Sequence, residues 1–178
     1  MSRITGGILR GRTVRVPVAE GVRPTSDRVR EALFSILGQD LSGERILDAF
    51  GGTGLLGLEA FSRGAQVTIT EIGRRAFQDI VLRRDQLGLS AGQVAVECAD
   101  PLLLTTPIGE FTGVIADPPW DLPVEPILGA LAHRATRWLV LEAEEKTTCP
   151  QAFSGMELVK MRTYGRTALW FYRRPDAE

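Results

Sequence analysis

From residue 45 onward, short apolar runs alternate with helical stretches, and this alternation constrains the fold more than any other feature of the chain. The runs Ile46–Phe50, Val67–Thr70, Val94–Val96, Val114–Ala116 and Trp138–Leu141 are bounded by turn residues. Helical patterns lie between them at about 55–63, 73–87 and 123–132. Strands and helices in this rhythm form an α/β fold, a parallel sheet covered by helices on both faces. The end of the chain differs: Met156–Thr163 and Thr167–Arg173 read as two strands around Tyr164-Gly165-Arg166, a hairpin that closes the sheet. Ligands of open α/β sheets sit beyond the carboxyl ends of the strands, where the strand order reverses. Functional residues are therefore sought just after each strand.

Residues 3–24 mix glycine, proline and β-branched residues and read as short strands or an arm. Thr25 or Ser26 is then placed to cap a helix whose apolar positions Val29, Ala32, Leu33, Ile36 and Leu37 keep helical spacing. A length of 178 residues suits one domain, with 1–24 as a basic N-terminal arm and 25–178 as the α/β unit. No run approaches the ~20 apolar residues of a membrane span, and Met1–Pro17 lacks the apolar stretch of a signal peptide. Cys98 and Cys149 have no CxxC spacing or neighbouring His. A disulfide or structural metal is not expected, and the cytoplasm is the expected compartment.

The net charge of −1 hides an uneven distribution. Residues 1–30 carry seven arginines against Glu20 and Asp27, whereas 31–158 hold nine basic and eighteen acidic groups. From 159 to 178 there are five basic and two acidic residues. Basic termini on an acidic middle suit an anionic partner, and arginine offers planar bidentate contacts to phosphate.

The first strand runs into Asp48-Ala49-Phe50-Gly51-Gly52-Thr53-Gly54, followed by an apolar helix from Leu55. Glycines let such a turn bend sharply and approach a ligand closely. Glu71 closes the second strand, where a carboxylate can accept both ribose hydroxyls. Gly52-Thr53-Gly54-Leu55-Leu56-Gly57 also matches the dinucleotide pattern GxGxxG, which keeps an NAD-dependent dehydrogenase open. Against that reading stand a single His133 and no Tyr-x-x-x-Lys.

The fourth strand delivers Asp117-Pro118-Pro119-Trp120. An exocyclic base amine is a weak nucleophile because its lone pair is delocalised into the ring. A carboxylate and a carbonyl accepting its two N–H groups bias the nitrogen towards sp³ character and aim the lone pair. Prolines fix φ and remove N–H donors, so the turn presents carbonyls rigidly. The adjoining aromatic offers a stacking platform for a base taken out of its helix.

With these motifs in hand, the chain resembles the RsmD family of 16S ribosomal RNA guanine-N2 methyltransferases. Four blocks carry the likeness: Arg3-Ile4-Thr5-Gly6-Gly7 with Gly11-Arg12, Arg23-Pro24-Thr25-Ser26-Asp27-Arg28-Val29-Arg30-Glu31-Ala32-Leu33-Phe34, Asp48–Ala65, and Asp117-Pro118-Pro119. The resemblance implies a Rossmann-like class I methyltransferase fold: a mostly parallel seven-stranded sheet, an antiparallel last strand and a short N-terminal extension. It implies S-adenosyl-L-methionine as cofactor and 16S rRNA within a small-subunit particle as partner. Cofactor positions carried over are Asp48, Phe50, Gly51, Gly52, Thr53, Gly54, Glu71, Ile72, Cys98, Ala99, Asp100 and Asp117. The catalytic turn is Asp117, Pro118, Pro119 and Trp120. RNA-binding candidates are Arg3, Arg10, Arg12, Arg23, Thr25, Arg28 and Arg166. Departures from the family pattern are Gly51 for alanine, Ile72 where a second acid is common, and Trp120 for Phe or Tyr. Cys98 occupies the position of the acid that faces adenine, with Asp100 two residues on, so either is a candidate for that contact.

Three rivals remain at the level of sequence: a DNA adenine-N6 or cytosine-N4 methyltransferase, the dehydrogenase, and a non-catalytic RNA-binding assembly factor. Trp138 and Trp170 are expected in the core, His133 at the surface, and Glu142, Glu144, Glu145 and Lys146 on a solvated edge.

Overall fold

The computed structural model describes residues 1–16, 27–105, 107 and 109–175. Arg23 and Thr25, and the helix cap expected at Thr25 or Ser26, lie outside the described residues. The elements are β1 (Ser2–Arg3), β2 (Thr13–Val14), α1 (Asp27–Leu37), β3 (Arg45–Asp48), α2 (Leu55–Ser62), β4 (Gln66–Thr70) and α3 (Arg74–Gln86). They continue with β5 (Val94–Glu97), β6 (Phe111–Ala116), α4 (Val124–Ala132), β7 (Ala135–Glu144), β8 (Ala152–Phe153), β9 (Met156–Tyr164) and β10 (Thr167–Arg173).

The main sheet has the order β5-β4-β3-β6-β7-β10-β9-β8. Strands β3 to β7 pair in parallel, and β10 runs antiparallel to both β7 and β9. The order reverses between β3 and β6, so the carboxyl ends of those two strands flank the crevice where ligands of such sheets bind. All the strands expected from the alternation are present. The sheet gains one more, the two-residue β8, which pairs with β9 across a tight turn with Ser154 at φ 46° and Gly155 at φ 76°. Two residues are too few to show periodicity, so sequence alone did not reveal it.

Period two along the strands sorts the core into two layers. Ile46, Val67, Ile69, Ile115, Val140, Leu169 and Phe171 face α1, α2 and α3. Leu47, Val114, Ala116, Leu139, Leu141 and Tyr172 face α4. Trp138 and Trp170 are buried as expected, and His133 is exposed at the end of α4. The expected solvated edge holds for Glu145 and Lys146 but not for Glu142, which is buried. Glu142 follows Leu141, the partner of Ala116 in the centre of the sheet, and Glu144 is partly buried, so the exposed edge begins at Glu145.

The first sixteen residues pack as part of the domain. β1 and β2 form an antiparallel ribbon, and Ile4, Leu9 and Val14 join the core beside α1 and α2. Burial of such side chains contributes about 1.5–3 kcal/mol each. A buried carboxylate, Glu59 of α2, organises the contact. It pairs with Arg30 Nε at 3.0 Å and with Arg63, and it accepts the Thr5 N–H at 2.8 Å. Arg30 also donates to the Arg3 carbonyl at 2.9 Å, and Arg63 lies over the Phe34 ring. Gly7 adopts φ 72°, where a Cβ would stand 1.6 Å from the Ser62 carbonyl oxygen. Arg30, counted with the positive charge of residues 1–30, is therefore part of an internal ion-pair cluster. Arg3, Arg10, Arg12, Arg15 and Arg28 are exposed.

Candidate active site

At the carboxyl end of β3 the chain turns through residues 49–54. The Ala49 N–H donates to the Ile115 carbonyl at 2.9 Å, and the Gly51 N–H donates to the Thr70 carbonyl at 2.7 Å. These bonds hold the turn against both neighbouring strands. Gly52 (φ 51°) and Gly54 (φ 75°) occupy the left-handed region that favours glycine, which lets α2 start at Leu55. Asp48 is fully buried, and its Oδ2 accepts the Gly57 N–H at 2.9 Å, inside the first turn of α2. Among the described residues its Oδ1 has no hydrogen-bond partner. Burial pushes the Asp48 carboxyl up to about 8, the Gly57 bond opposes this, and the negative charges of Asp117 and Glu71 add to it.

Glu71 ties the turn to the next loop. Its Oε2 accepts the Gly52 N–H at 2.8 Å and its Oε1 accepts the Gly73 N–H at 2.7 Å. Each oxygen keeps acceptor capacity for a hydroxyl. The ladder between β4 and β5 extends past the strands: the Glu71 N–H donates to the Glu97 carbonyl, and the Ala99 N–H to the Glu71 carbonyl. This brings Ile72, Cys98 and Ala99 together, with Cys98 Sγ 4.0 Å from the Ile72 carbonyl oxygen. Ile72 is an exposed apolar side chain, 66% accessible. Asp100 Oδ1 accepts the Leu102 N–H at 2.9 Å and so stabilises its own turn, while Cys98 is exposed.

β6 lies beside β3 with Asp48 opposite Ile115, so Asp117 emerges two residues further on, on the same face as Asp48. The negative charge of Asp117 adds to the upward push on the Asp48 carboxyl, in keeping with the adjacency of the two strand ends. Pro118 is buried, and the Leu122 N–H closes a turn onto the Pro119 carbonyl at 3.1 Å. Trp120 is half-buried. The guanidinium of Arg166, at the tip of the β9–β10 hairpin, lies 5.7 Å from its ring centroid and donates to Glu144 Oε1 at 3.0 Å. Arg166 and Trp120, distant in sequence, thus meet at the Asp-Pro-Pro-Trp turn.

The remaining RNA candidates are distributed on one exposed segment: Arg3, Arg10 and Arg12 on the ribbon, and Arg28 in the first turn of α1. A buried cation that carries no sequence motif also reaches the glycine turn. Arg83 bonds the Thr53 carbonyl of the glycine turn, and its signal was its spacing of three from Ile80 on the buried face of α3. A separate cavity of about 430 Å³, lined by Asp40, Glu44, Arg137 and Lys160 among others, includes none of the candidate-site residues. Among the described residues no group of three or more His, Cys, Asp or Glu is placed to hold a metal, and no helix is long and apolar enough to cross a membrane.

The arrangement fits a cofactor with a cationic amino-acid end, a ribose and a planar base. Asp48 offers an orphaned buried oxygen, Glu71 two acceptors, and Ile72 with Cys98 and Ala99 an apolar rim. Asp117 lies beside Asp48, and Trp120 follows three residues later with Arg166 over its ring.

Comparison with known proteins agrees with this geometry. The family model described as conserved hypothetical protein 95 matches residues 2–173. The chain is 34% identical over 181 residues to ribosomal RNA small subunit methyltransferase D of Escherichia coli, covering 97% of this chain and 89% of that one. It is 28% identical over 181 residues to YlbH of Bacillus subtilis, covering 97% and 98% respectively. The solved structure of yhhF from Escherichia coli superimposes with a TM-score of 0.82, at 32% identity and 97% coverage of both chains. Magnesium protoporphyrin IX methyltransferase from Synechocystis, solved with bound SAM, shares the fold, with a TM-score of 0.68 at 17% identity over 83% of this chain and 78% of that one. With sheet order, crevice and sequence in agreement, this chain belongs to the conserved hypothetical protein 95 family, that of the ribosomal RNA small subunit methyltransferase D proteins, the RsmD family.

Proposed function

We propose that this chain transfers a methyl group from S-adenosyl-L-methionine to the exocyclic N2 amine of a guanine in 16S rRNA, acting in the cytoplasm on a small-subunit particle. The observation that carries the reading is the shared crevice: the glycine turn after β3 and the Asp-Pro-Pro-Trp turn after β6 leave adjacent strands on the same face, close enough for Asp117 to act on Asp48. The cofactor supplies an electrophilic methyl on a sulfonium with a good leaving group, so positioning accounts for most of the acceleration.

Asp48 Oδ1 meets the ammonium of the methionine end, and Glu71 accepts the ribose hydroxyls. The backbone of Phe50, Gly51, Gly52, Thr53 and Gly54 wraps the donor closely, and Ile72, Cys98, Ala99 and Asp100 border the adenine. Asp117 and the Pro118 carbonyl accept the two N–H groups of the target amine, and Pro119 keeps the turn rigid. Trp120 stacks on the extruded base. The N2 lone pair forms the new bond to the methyl carbon, the sulfur–methyl bond breaks onto sulfur, and the extra N2 proton leaves through Asp117 to water. Residues 1–24 serve as an RNA-binding arm on the catalytic unit 25–178. Arg3, Arg10, Arg12, Arg23, Thr25, Arg28 and Arg166 hold the RNA backbone and loop, and no metal takes part.

The test is mass spectrometry of nucleosides from small-subunit particles and naked 16S rRNA incubated with the protein and labelled cofactor. The expected product is labelled N2-methylguanosine, with particles the better substrate. Label found only in duplex DNA incubated in parallel, or none at all, contradicts the assignment.

A further inference from the structure

Arg83 joins two parts of the molecule that the proposed reaction uses for different ligands. It lies on the inward face of α3 and is 5% exposed. Its Nη1 donates to the Thr53 carbonyl in the glycine turn at 2.9 Å, and its Nε donates to the Arg15 carbonyl at 2.9 Å. Arg15 directly follows β2, in the ribbon that displays Arg3, Arg10 and Arg12. Asp79, its ion-pair partner among the described residues, is 3.8 Å away and partly exposed. Burying a guanidinium against neutral carbonyls costs more than leaving it in water, so the site is an unusual place for a merely solubilising arginine.

We propose that Arg83 is a positioning residue that couples cofactor binding at the glycine turn to RNA binding by the N-terminal ribbon; this rests on the assignment of those two surfaces given above. The planar fork of the guanidinium fixes both the spacing and the direction of its two acceptors. A cofactor that orders the Thr53 turn therefore also holds Arg15, and with it the ribbon. Linkage makes the effect reciprocal: RNA tightens the cofactor by the same factor. Lysine keeps the charge but carries its donors on one nitrogen, and so breaks the fixed relation between the two carbonyls.

The experiment measures S-adenosylhomocysteine binding by calorimetry and binding of a 16S rRNA transcript by fluorescence anisotropy, each with and without the other ligand. The proteins are the wild type, Arg83→Lys and Arg83→Gln, with folding checked by circular dichroism. In the wild type each ligand tightens the other by about 5-fold or more. In both variants the coupling falls below about twofold, while RNA affinity without S-adenosylhomocysteine and its salt slope stay within about twofold of wild type. Equal coupling in all three proteins, or none in a wild type that binds both ligands, overturns the role of Arg83 and leaves the methyltransferase reading intact. A wild type that binds neither ligand overturns both. Hydrogen exchange on the wild type gives a check independent of the variants: amides of residues 12–16 slow on adding S-adenosylhomocysteine, and unchanged exchange there contradicts the coupling.

Discussion

At Asp48 burial outweighs hydrogen bonding. The Gly57 N–H favours the carboxylate, but the loss of water and the nearby Asp117 and Glu71 raise its pKa to about 8. A raised carboxyl favours the folded chain most below its ordinary range near pH 4, and that contribution is lost as pH rises towards 8. Asp48→Asn should therefore raise the Tm of the ligand-free protein above pH 8 while weakening S-adenosylhomocysteine binding at least tenfold; thermal melts and calorimetry check the two halves. The ammonium of the cofactor draws Asp48 back to its charged form, so binding near pH 7 should release protons, seen as a dependence of calorimetric enthalpy on buffer ionisation. The acid, the glycines and Asp117 could be read from sequence because each chemistry demands its residue type next to a strand end. The Arg166–Trp120 stack could not, since it depends on how a hairpin tip returns over the sheet. Between the two candidates for the adenine contact, the structure leaves Cys98 exposed and engages Asp100 with Leu102.

The ribbon, α1 and α2 form one element-scale unit around Glu59. Its carboxylate answers Arg30 and Arg63, all three side chains being buried. Glu59→Ala leaves buried Arg63 without its counter-charge and Arg30 with the exposed Asp27 at 3.0 Å as its remaining acid; it should cost about 3–5 kcal/mol, lowering Tm in a thermal melt and loosening the ribbon. A larger loss in ribbon protection than in β3 or β6, measured by hydrogen exchange, would place the damage where the cluster sits. The helical stripe of α1 was legible from Val29 and Leu33, because period 3.6 sorts apolar residues onto one face. Burial of Arg30 in that stripe was not, because an arginine among apolar positions reads as an outward charge until its acid, 29 residues away in sequence, is known.

Over the whole molecule, the N-terminal ribbon displays the exposed Arg3, Arg10, Arg12 and Arg15, whereas the space at the ends of β3 and β6 carries the acids Asp48, Glu71 and Asp117. Replacing Arg10 and Arg12 together by alanine should weaken RNA binding and reduce the slope of log K against log salt by about 1.4–1.8, leaving cofactor affinity unchanged. An equal loss of cofactor affinity would show that those side chains support the fold instead. The parallel sheet and its antiparallel closing strand followed from the strand–helix rhythm and the final hairpin, because parallel neighbours need crossovers; the strand order did not, since the rhythm leaves open which strands lie side by side. The central claim is that Asp117 works across the crevice on an amine while the glycine turn holds the methyl donor. Its most direct test is the single-turnover methylation rate of Asp117→Ala on small-subunit particles, with S-adenosylhomocysteine affinity measured alongside. A rate reduced by about 10²–10⁴ at nearly unchanged affinity is the predicted result; methylation at the wild-type rate would contradict it.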